Sequence, residues 1–150
     1  VMDRVTPKFY KNSAVKYMPL GVLSIAACVP DKYQVEVLDS ASLGLSLDET
    51  IERIETIAPD VLGLSVLTYR AWAMIQVLER TTASIKVVGG PHATFNHDVI
   101  FKQGADAVFV GDAERTFPKW LDDGCPKGIF KSPQVELDSL PFPARHLMDL

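Results

Sequence analysis

Lys86-Val-Val-Gly-Gly-Pro-His-Ala-Thr-Phe-Asn96 is the stretch whose reading decides the fold. It begins as a buried strand, breaks at two glycines and empties into a polar loop before a helix expected over 96–103. Gly89 and Gly90 lack a Cβ, so a flat ligand can approach their backbone closely. Pro91 is expected to stop the strand ladder and Asn96 to cap the helix after it. Taken alone, the stretch reads more simply as an ordinary strand-to-helix turn, because glycine pairs are common turn chemistry. Its neighbours change that balance.

On the N-terminal side, Val61-Leu-Gly-Leu-Ser-Val-Leu67 is a continuous apolar run of strand length, as expected for a strand covered on both faces. Thr68 and Tyr69 form the turn after it, and Ala71, Met74, Ile75, Val77 and Leu78 mark a helix running to Thr82. Further back, Ser46-Leu-Asp-Glu49 is a capping box opening a helix to Ile57, which Ala58-Pro59-Asp60 closes. Gln34-Val-Glu-Val-Leu-Asp39 reads as a short strand. Pro19 and Pro30 bracket a strongly apolar helix with Leu20, Leu23 and Ala27, expected to be buried on most of its surface. Residues 1–17 read as a loop with a strand remnant around Val1 to Val5.

On the C-terminal side, Ala107-Val-Phe-Val110 is the next strand, and Gly111-Asp-Ala-Glu-Arg-Thr116 leads into a last helix through Trp120. From Asp122 on, glycines and prolines mark irregular chain, with a small strand at Gly128-Ile-Phe-Lys131 and an extended exit at Pro141-Phe-Pro143. The expected organisation is an α/β domain over 1–121 and an irregular extension over 122–150.

Strands that alternate with helices, each nearly continuous in apolar residues, indicate a doubly wound parallel sheet of four or five strands with helices on both faces. The order expected is Rossmann-like, of the flavodoxin type 2-1-3-4-5, with the first strand at Val1 to Val5. Ligands in such sheets bind beyond the carboxyl ends of the strands. Those ends are Asp39, the loop at Thr68, Gly89 to His92, and Gly111 to Glu114. The fold does not by itself say which ligand.

A chain of 150 residues, 47% hydrophobic and 23% charged, can build one domain with a real core. Its net charge of −4 comes without a run of like charge, which argues against nucleic-acid partners and anionic membrane surfaces. Cys28 and Cys125 form no CxxC pair, so these thiols alone hold neither zinc nor an iron–sulfur centre, and a reducing cytoplasm fits best. The apolar run from Leu20 to Val29 is too short for a bilayer, and no signal peptide is evident. A start on Val1 and an end on Leu147-Met-Asp-Leu150 suggest a piece excised from a longer protein. No nucleophile–base pair, Walker loop or GxGxxG appears, which favours a cofactor-holding module over a self-sufficient catalyst. A receiver-like signalling domain is disfavoured, since no acidic pair ends the first strand.

The order Gly21, Ser65-Val-Leu67, Gly89-Gly90 resembles the DxHxxG…SxL…GG pattern of cobalamin-binding domains. In that family the serine and glycines line a channel for the dimethylbenzimidazole nucleotide tail, and a histidine in the first motif ligates cobalt. Here Lys16-Tyr-Met-Pro-Leu-Gly21 falls where DxHxxG belongs, with Lys16 in place of the aspartate and Met18 in place of the histidine. Met18 is expected to be a packing residue.

A more specific resemblance covers Pro19 to the C-terminus. Met18-Pro-Leu-Gly-Val-Leu-Ser-Ile-Ala-Ala27, Val35-Glu-Val-Leu-Asp39, Gly63-Leu-Ser-Val-Leu-Thr68, Val87-Val-Gly-Gly-Pro-His92, Val110-Gly-Asp-Ala-Glu114 and Leu137-Asp-Ser-Leu-Pro-Phe-Pro143 are similar to the N-terminal B12-binding domain of cobalamin-dependent radical S-adenosylmethionine (radical SAM) enzymes. Many of those enzymes also lack the cobalt-ligating histidine. Two departures stand out: little chain precedes the first helix, and Gly111-Asp-Ala-Glu114 replaces a GEGE-like loop, with Ala113 where glycine would allow closer approach.

The resemblance implies that this chain holds cobalamin with no histidine on cobalt. The residues it implies are Ser65, Leu67, Thr68, Tyr69, Gly89, Gly90, Pro91, His92, Gly21, Asp39, Gly111 and Glu114. A [4Fe–4S] cluster and S-adenosylmethionine belong to a parent enzyme only, in a barrel reached through Leu-Pro-Phe-Pro; methyl transfer is the commonest reaction of that family. The chain alone is expected to have no turnover. The alternative is a cobalamin-free docking or interaction domain that keeps the fold. A homodimer would complete a sheet that lacked its first strand. His92 divides evenly between cofactor contact and loop stabilisation, His97 reads as structural or exposed, and Asp39 either meets a ligand hydroxyl or caps its own turn. A valine at Gly90 is expected to fill the tail groove and leave the fold intact.

Overall fold

The computed structural model describes residues 18–148. Its elements in chain order are α1 (Leu20–Cys28), α2 (Leu47–Ile57), β1 (Val61–Ser65), α3 (Ala71–Arg80), β2 (Ile85–Gly89), α4 (Pro91–Lys102), β3 (Ala107–Val110), α5 (Thr116–Asp122) and β4 (Gly128–Lys131). Single 3-10 turns occupy Thr68–Arg70, Leu137–Ser139 and Arg145–Leu147.

The four strands lie in the order β1-β2-β3-β4, every pair parallel. Side-chain alternation along them sorts the core into two layers. Val88, Val108, Leu64 and Ile129 point to the face covered by α3 and α4, where Met74, Leu78, Ala93 and Ile100 are buried. Ile51 and Ile54 of α2 join that face against Leu62 and Val77. Val87, Ala107, Phe109 and Phe130 point the other way, to α1 and α5. Phe109 centres an aromatic cluster there, with Phe117, Trp120 and Phe130 at centroid distances of 5.5, 5.6 and 5.5 Å. Helices on both faces of a parallel sheet give the expected doubly wound α/β fold.

Local signals explain the helix starts. Ser46 and Glu49 form the anticipated capping box, the Ser46 N–H donating to Glu49 Oε2 at 2.8 Å and the Glu49 N–H to Ser46 Oγ at 3.2 Å. The Lys86 ammonium closes α3 from a distance in sequence, donating to the Leu78 carbonyl at 2.6 Å and to that of Thr81.

Four expectations change. Residues 34–39 carry no ladder; in the expected order their only neighbour is the strand at Val1 to Val5, which lies outside the described residues, and Leu38 instead packs beside Ile51 and Leu62. Gly128–Lys131 is a full member of the sheet, in register with β3 from Ala107↔Gly128 to Val110↔Lys131, so the sheet extends past residue 121. Helix α1 buries only Leu23 completely, and Leu20 and Gly21 are exposed. Finally, α4 begins at Pro91 instead of Asn96: Gly90 is its N-cap, and proline's fixed φ and missing N–H suit the first helical position. Asn96 marks a kink inside that helix, with φ −127° and ψ 24°.

Candidate functional site

At the carboxyl ends of β1, β2 and β3 three connections meet, tied to one another by hydrogen bonds. The Val66 N–H donates to the Gly89 carbonyl at 3.0 Å, and the His92 N–H donates back to the Val66 carbonyl at 3.0 Å. The exit from β1 is thereby clamped to the start of α4. Gly90 makes the clamp sterically feasible. Its φ of 91° with ψ of −178° lies in a region that glycine alone occupies comfortably. A Cβ there would stand 2.9 Å from Val66 N, 3.0 Å from Ser65 Oγ and 3.2 Å from Val66 O. The space left by its missing side chain is filled by the protein's own backbone, so a valine at Gly90 strains the fold and does not cleanly fill a groove.

Open space lies one residue earlier. Ser65 and Gly89 are register partners, and alternation places both, with Gly63, on the α1/α5 face of the sheet. Gly63 and Ser65 are exposed. Among the described residues, a Cβ at Gly89 would come within 4 Å of Phe109 Cβ alone, at 3.8 Å, and one at Gly63 of Val87 Cγ2 alone, at 3.7 Å. Two glycines and a serine on adjacent strands therefore form a shallow floor with no side chain larger than a hydroxymethyl. Flat groups can approach backbone there, and the Ser65 hydroxyl can donate or accept.

Thr68 and His92 are brought together, Thr68 Oγ1 lying 3.3 Å from His92 Nδ1. Asn96 holds the same ring, its Nδ2 standing 3.3 Å from Nδ1 and donating to the His92 carbonyl at 3.1 Å. Leu67 and Tyr69 project outward, 46% and 66% exposed, with the Arg70 guanidinium 5.5 Å from the Tyr69 ring centroid. Pro91 is exposed at the first turn of α4. Gly111, with φ 84°, follows β3 and donates its N–H to Thr94 Oγ1 at 3.2 Å.

Two sequence-derived candidates stand apart. The Asp39 carboxylate is engaged by its own turn, accepting from the Ala41 and Ser42 N–H groups at 3.2 and 3.1 Å and from the Ser42 hydroxyl. Gly21 sits exposed in the first turn of α1, where an added Cβ would meet nothing within 4 Å. Glu114, between β3 and α5, has a buried Oε2 with no hydrogen-bond partner among the described residues. Burial pushes the Cys28 thiol up; the Arg115 charge opposes this and the Glu114 charge adds to it.

Thr94 and the ring-holding role of Asn96 are what sequence reasoning missed. With 91–95 read as loop and Asn96 as a cap, the spacing of these residues means nothing. With Pro91 as the first helical residue, Thr94 falls four after Gly90, where a threonine hydroxyl bonds back to a carbonyl.

Comparison with known proteins agrees with this architecture. The N-terminal domain of a hypothetical protein from Thermotoga maritima superposes with a TM-score of 0.54 over 80% of this chain and 96% of that one, at 21% identity, a likeness of fold. An uncharacterised methyltransferase of Pyrococcus horikoshii is 30% identical over 110 residues, covering 69% of this chain and 24% of the relative. The anaerobic magnesium-protoporphyrin IX monomethyl ester cyclase of Rubrivivax gelatinosus is 31% identical over 84 residues, 52% of this chain and 15% of that protein. The chain thus spans a quarter or less of the length of these curated relatives. Residues 10–121 match the family model described as the B12 binding domain, and the chain belongs to that family.

Proposed function

We propose that this chain holds cobalamin with its nucleotide tail laid over the Gly63–Ser65–Gly89 floor, within a larger radical SAM enzyme. The observation that carries the reading is that, among the described residues, Cβ atoms added at Gly63 and Gly89 would meet nothing closer than 3.7 Å. The residues present fit a bulky, flat heterocycle at the point where an α/β sheet takes its ligands. Ser65 offers its hydroxyl to a ring nitrogen, Gly89 keeps the backbone accessible, and His92 and Thr68 brace the rim. When bound, cobalamin supplies a cobalt centre able to carry a one-carbon group, and the chemistry is the cofactor's. None of the three histidines stands in the position of Met18, so no histidine of the first motif reaches the metal.

The parent is proposed to pair this domain with a barrel holding a [4Fe–4S] cluster and S-adenosylmethionine, most simply for methyl transfer, with the stretch after Lys131 leading toward it. The methyltransferase name of the Pyrococcus relative supports the reaction class. Leu67, Tyr69 and Phe95, the last 84% exposed, surround the rim with apolar surface suited to a covering domain. The same side chains favour a second reading, a docking domain that has no vitamin.

Retention of hydroxocobalamin through gel filtration tests the first reading. The wild-type chain is expected to retain it, and Gly89→Val, whose Cβ is sterically accommodated, is expected to lose it with far-UV circular dichroism unchanged. Because a covering barrel adds contacts that the chain lacks, the parent protein is tested alongside. A parent that purifies without cobalamin and ignores added cofactor establishes the docking reading instead.

A further inference from the structure

We infer that Thr94 is a positioning residue for the ligand floor: by holding the Gly90 peptide it sets where the Ser65 hydroxyl stands. The inference rests on the cobalamin reading above, and Thr94 acts through Gly90 rather than on the ligand. Two contacts connect it to the floor. Thr94 Oγ1 donates to the Gly90 carbonyl at 3.2 Å, and the Thr94 N–H donates to the same carbonyl at 3.1 Å. Gly90 in turn lies against Ser65, since a Cβ on it would stand 3.0 Å from Ser65 Oγ.

A threonine hydroxyl that bonds back to a carbonyl four residues earlier is ordinary helix chemistry. What separates Thr94 is its second bond, since the same hydroxyl accepts from the Gly111 N–H at 3.2 Å, outside its own helix. Its proton is committed to Gly90 and a lone pair to Gly111, so the hydroxyl is fixed from both sides. Gly90 needs such a hold. Glycine has the widest choice of backbone conformations, and its φ of 91° and ψ of −178° are kept by contacts from outside the residue. From β1 the Val66 N–H holds the preceding carbonyl, that of Gly89, at 3.0 Å; from α4 Thr94 holds the Gly90 carbonyl. Removing the Thr94 hydroxyl halves the second hold, and because Gly90 touches Ser65 Oγ, drift of the turn is passed to that oxygen. A binding group misplaced by about 0.5 Å loses alignment with its ligand atom.

Wild type, Thr94→Val and Thr94→Ser are titrated with hydroxocobalamin and with dicyanocobinamide, which lacks the nucleotide tail, at a temperature where each is folded. Ser65 is proposed to meet the tail, so Thr94→Val is expected to weaken cobalamin about fivefold, the equivalent of one neutral hydrogen bond. Its cobinamide affinity is expected to stay unchanged, and Thr94→Ser to bind both corrinoids as wild type does. Amide proton–nitrogen spectra of the ligand-free chains add a readout independent of binding, in which Thr94→Val is expected to move the Ser65 cross-peak and Thr94→Ser to restore it. A threonine with a structural role alone would lower the melting temperature of Thr94→Val and leave the ratio of the two affinities as in wild type. That outcome overturns the inference, as does an unmoved Ser65 cross-peak. Where wild type ignores cobinamide, the cobalamin affinity and the Ser65 cross-peak decide together. If Thr94→Val fails to fold, Thr94→Ala, smaller and equally without a hydroxyl, decides in its place. Where only the parent binds, the same variants are titrated in the parent. A wild-type chain and parent that bind neither corrinoid sink the cobalamin reading and this inference together, whereas equal cobalamin binding by wild type and Thr94→Val sinks this inference alone.

Discussion

The Gly111 N–H donates to the Thr94 hydroxyl across 3.2 Å, and through that contact the end of β3 is tied to the first turn of α4. The same hydroxyl donates to the Gly90 carbonyl at 3.2 Å. One oxygen therefore fixes the relative positions of the two glycine turns that bound the site. Thr94→Val keeps the shape and removes both bonds, leaving the Gly111 N–H unpaired. A loss of about 1–2 kcal/mol in urea unfolding is expected, with Thr94→Ser close to wild type. A valine variant as stable as wild type would show that solvent replaces the hydroxyl without cost.

Gly89 and Gly90 are adjacent and respond oppositely. At Gly90 any side chain combines a glycine-only backbone conformation with a 2.9 Å approach to Val66 N. Gly90→Ala is expected to cost at least about 2 kcal/mol. At Gly89 the backbone is regular strand and the nearest atom is 3.8 Å away, so Gly89→Ala is expected to leave stability within about 0.5 kcal/mol. Parallel thermal melts of the two alanine variants check the contrast, and equal destabilisation contradicts it.

The division between what is readable in the sequence and what is not follows from range of interaction. The strands at 61, 86 and 107 are legible as nearly continuous apolar runs, although Gly63 and Ser65 leave one face of the first exposed, and Ser46–Glu49 is legible because a capping box is complete within four residues. Gln34 to Asp39 has the same local pattern as a strand, yet a ladder needs a partner that sequence cannot supply. Ser65, Gly89 and Gly90 stand out together, but their separate roles depend on a 2.9 Å approach between residues far apart in the chain. Pro91 reads as a strand stop and equally as a first helical residue, and the first reading hides Thr94.

Asp106 carries no motif in the sequence, yet it secures the amino edge of the sheet. It accepts from the Lys86 N–H at 2.9 Å and pairs with the Lys127 ammonium at 2.7 Å, while its backbone carbonyl accepts from the Gly128 N–H at 3.0 Å. Burial raises its pKa, but the hydrogen bonds from Lys127 and Lys86 and the charges of both lysines outweigh burial and hold it below the ordinary 3.8. A depressed carboxylate contributes stability that is fully present above its unfolded value and is lost as pH falls toward the folded one. Asp106→Asn is therefore expected to lose about 1–2 kcal/mol at neutral pH, and to show a shallower decline than wild type below about pH 4. Chemical unfolding across that range measures both; parallel curves would remove Asp106 from the acid transition.

Among the described residues, His92 presents one ring nitrogen, Nδ1, to hydrogen-bond partners. Nδ1 lies 3.3 Å from Asn96 Nδ2 and 3.3 Å from Thr68 Oγ1. An amide nitrogen has only hydrogens to offer, so Nδ1 accepts and the neutral ring carries its proton on Nε2. That leaves Nε2–H as the donor available beside the clamp between β1 and α4, where the His92 backbone is itself held by Val66. Long-range proton–nitrogen correlation spectra of the chain at alkaline pH are expected to show the Nε2–H tautomer at His92. Asn96→Leu combined with Thr68→Val removes both partners of Nδ1 and is expected to return the ring to a mixture. A wild-type ring protonated on Nδ1 would reverse the assignment and require Thr68 to act as the acceptor.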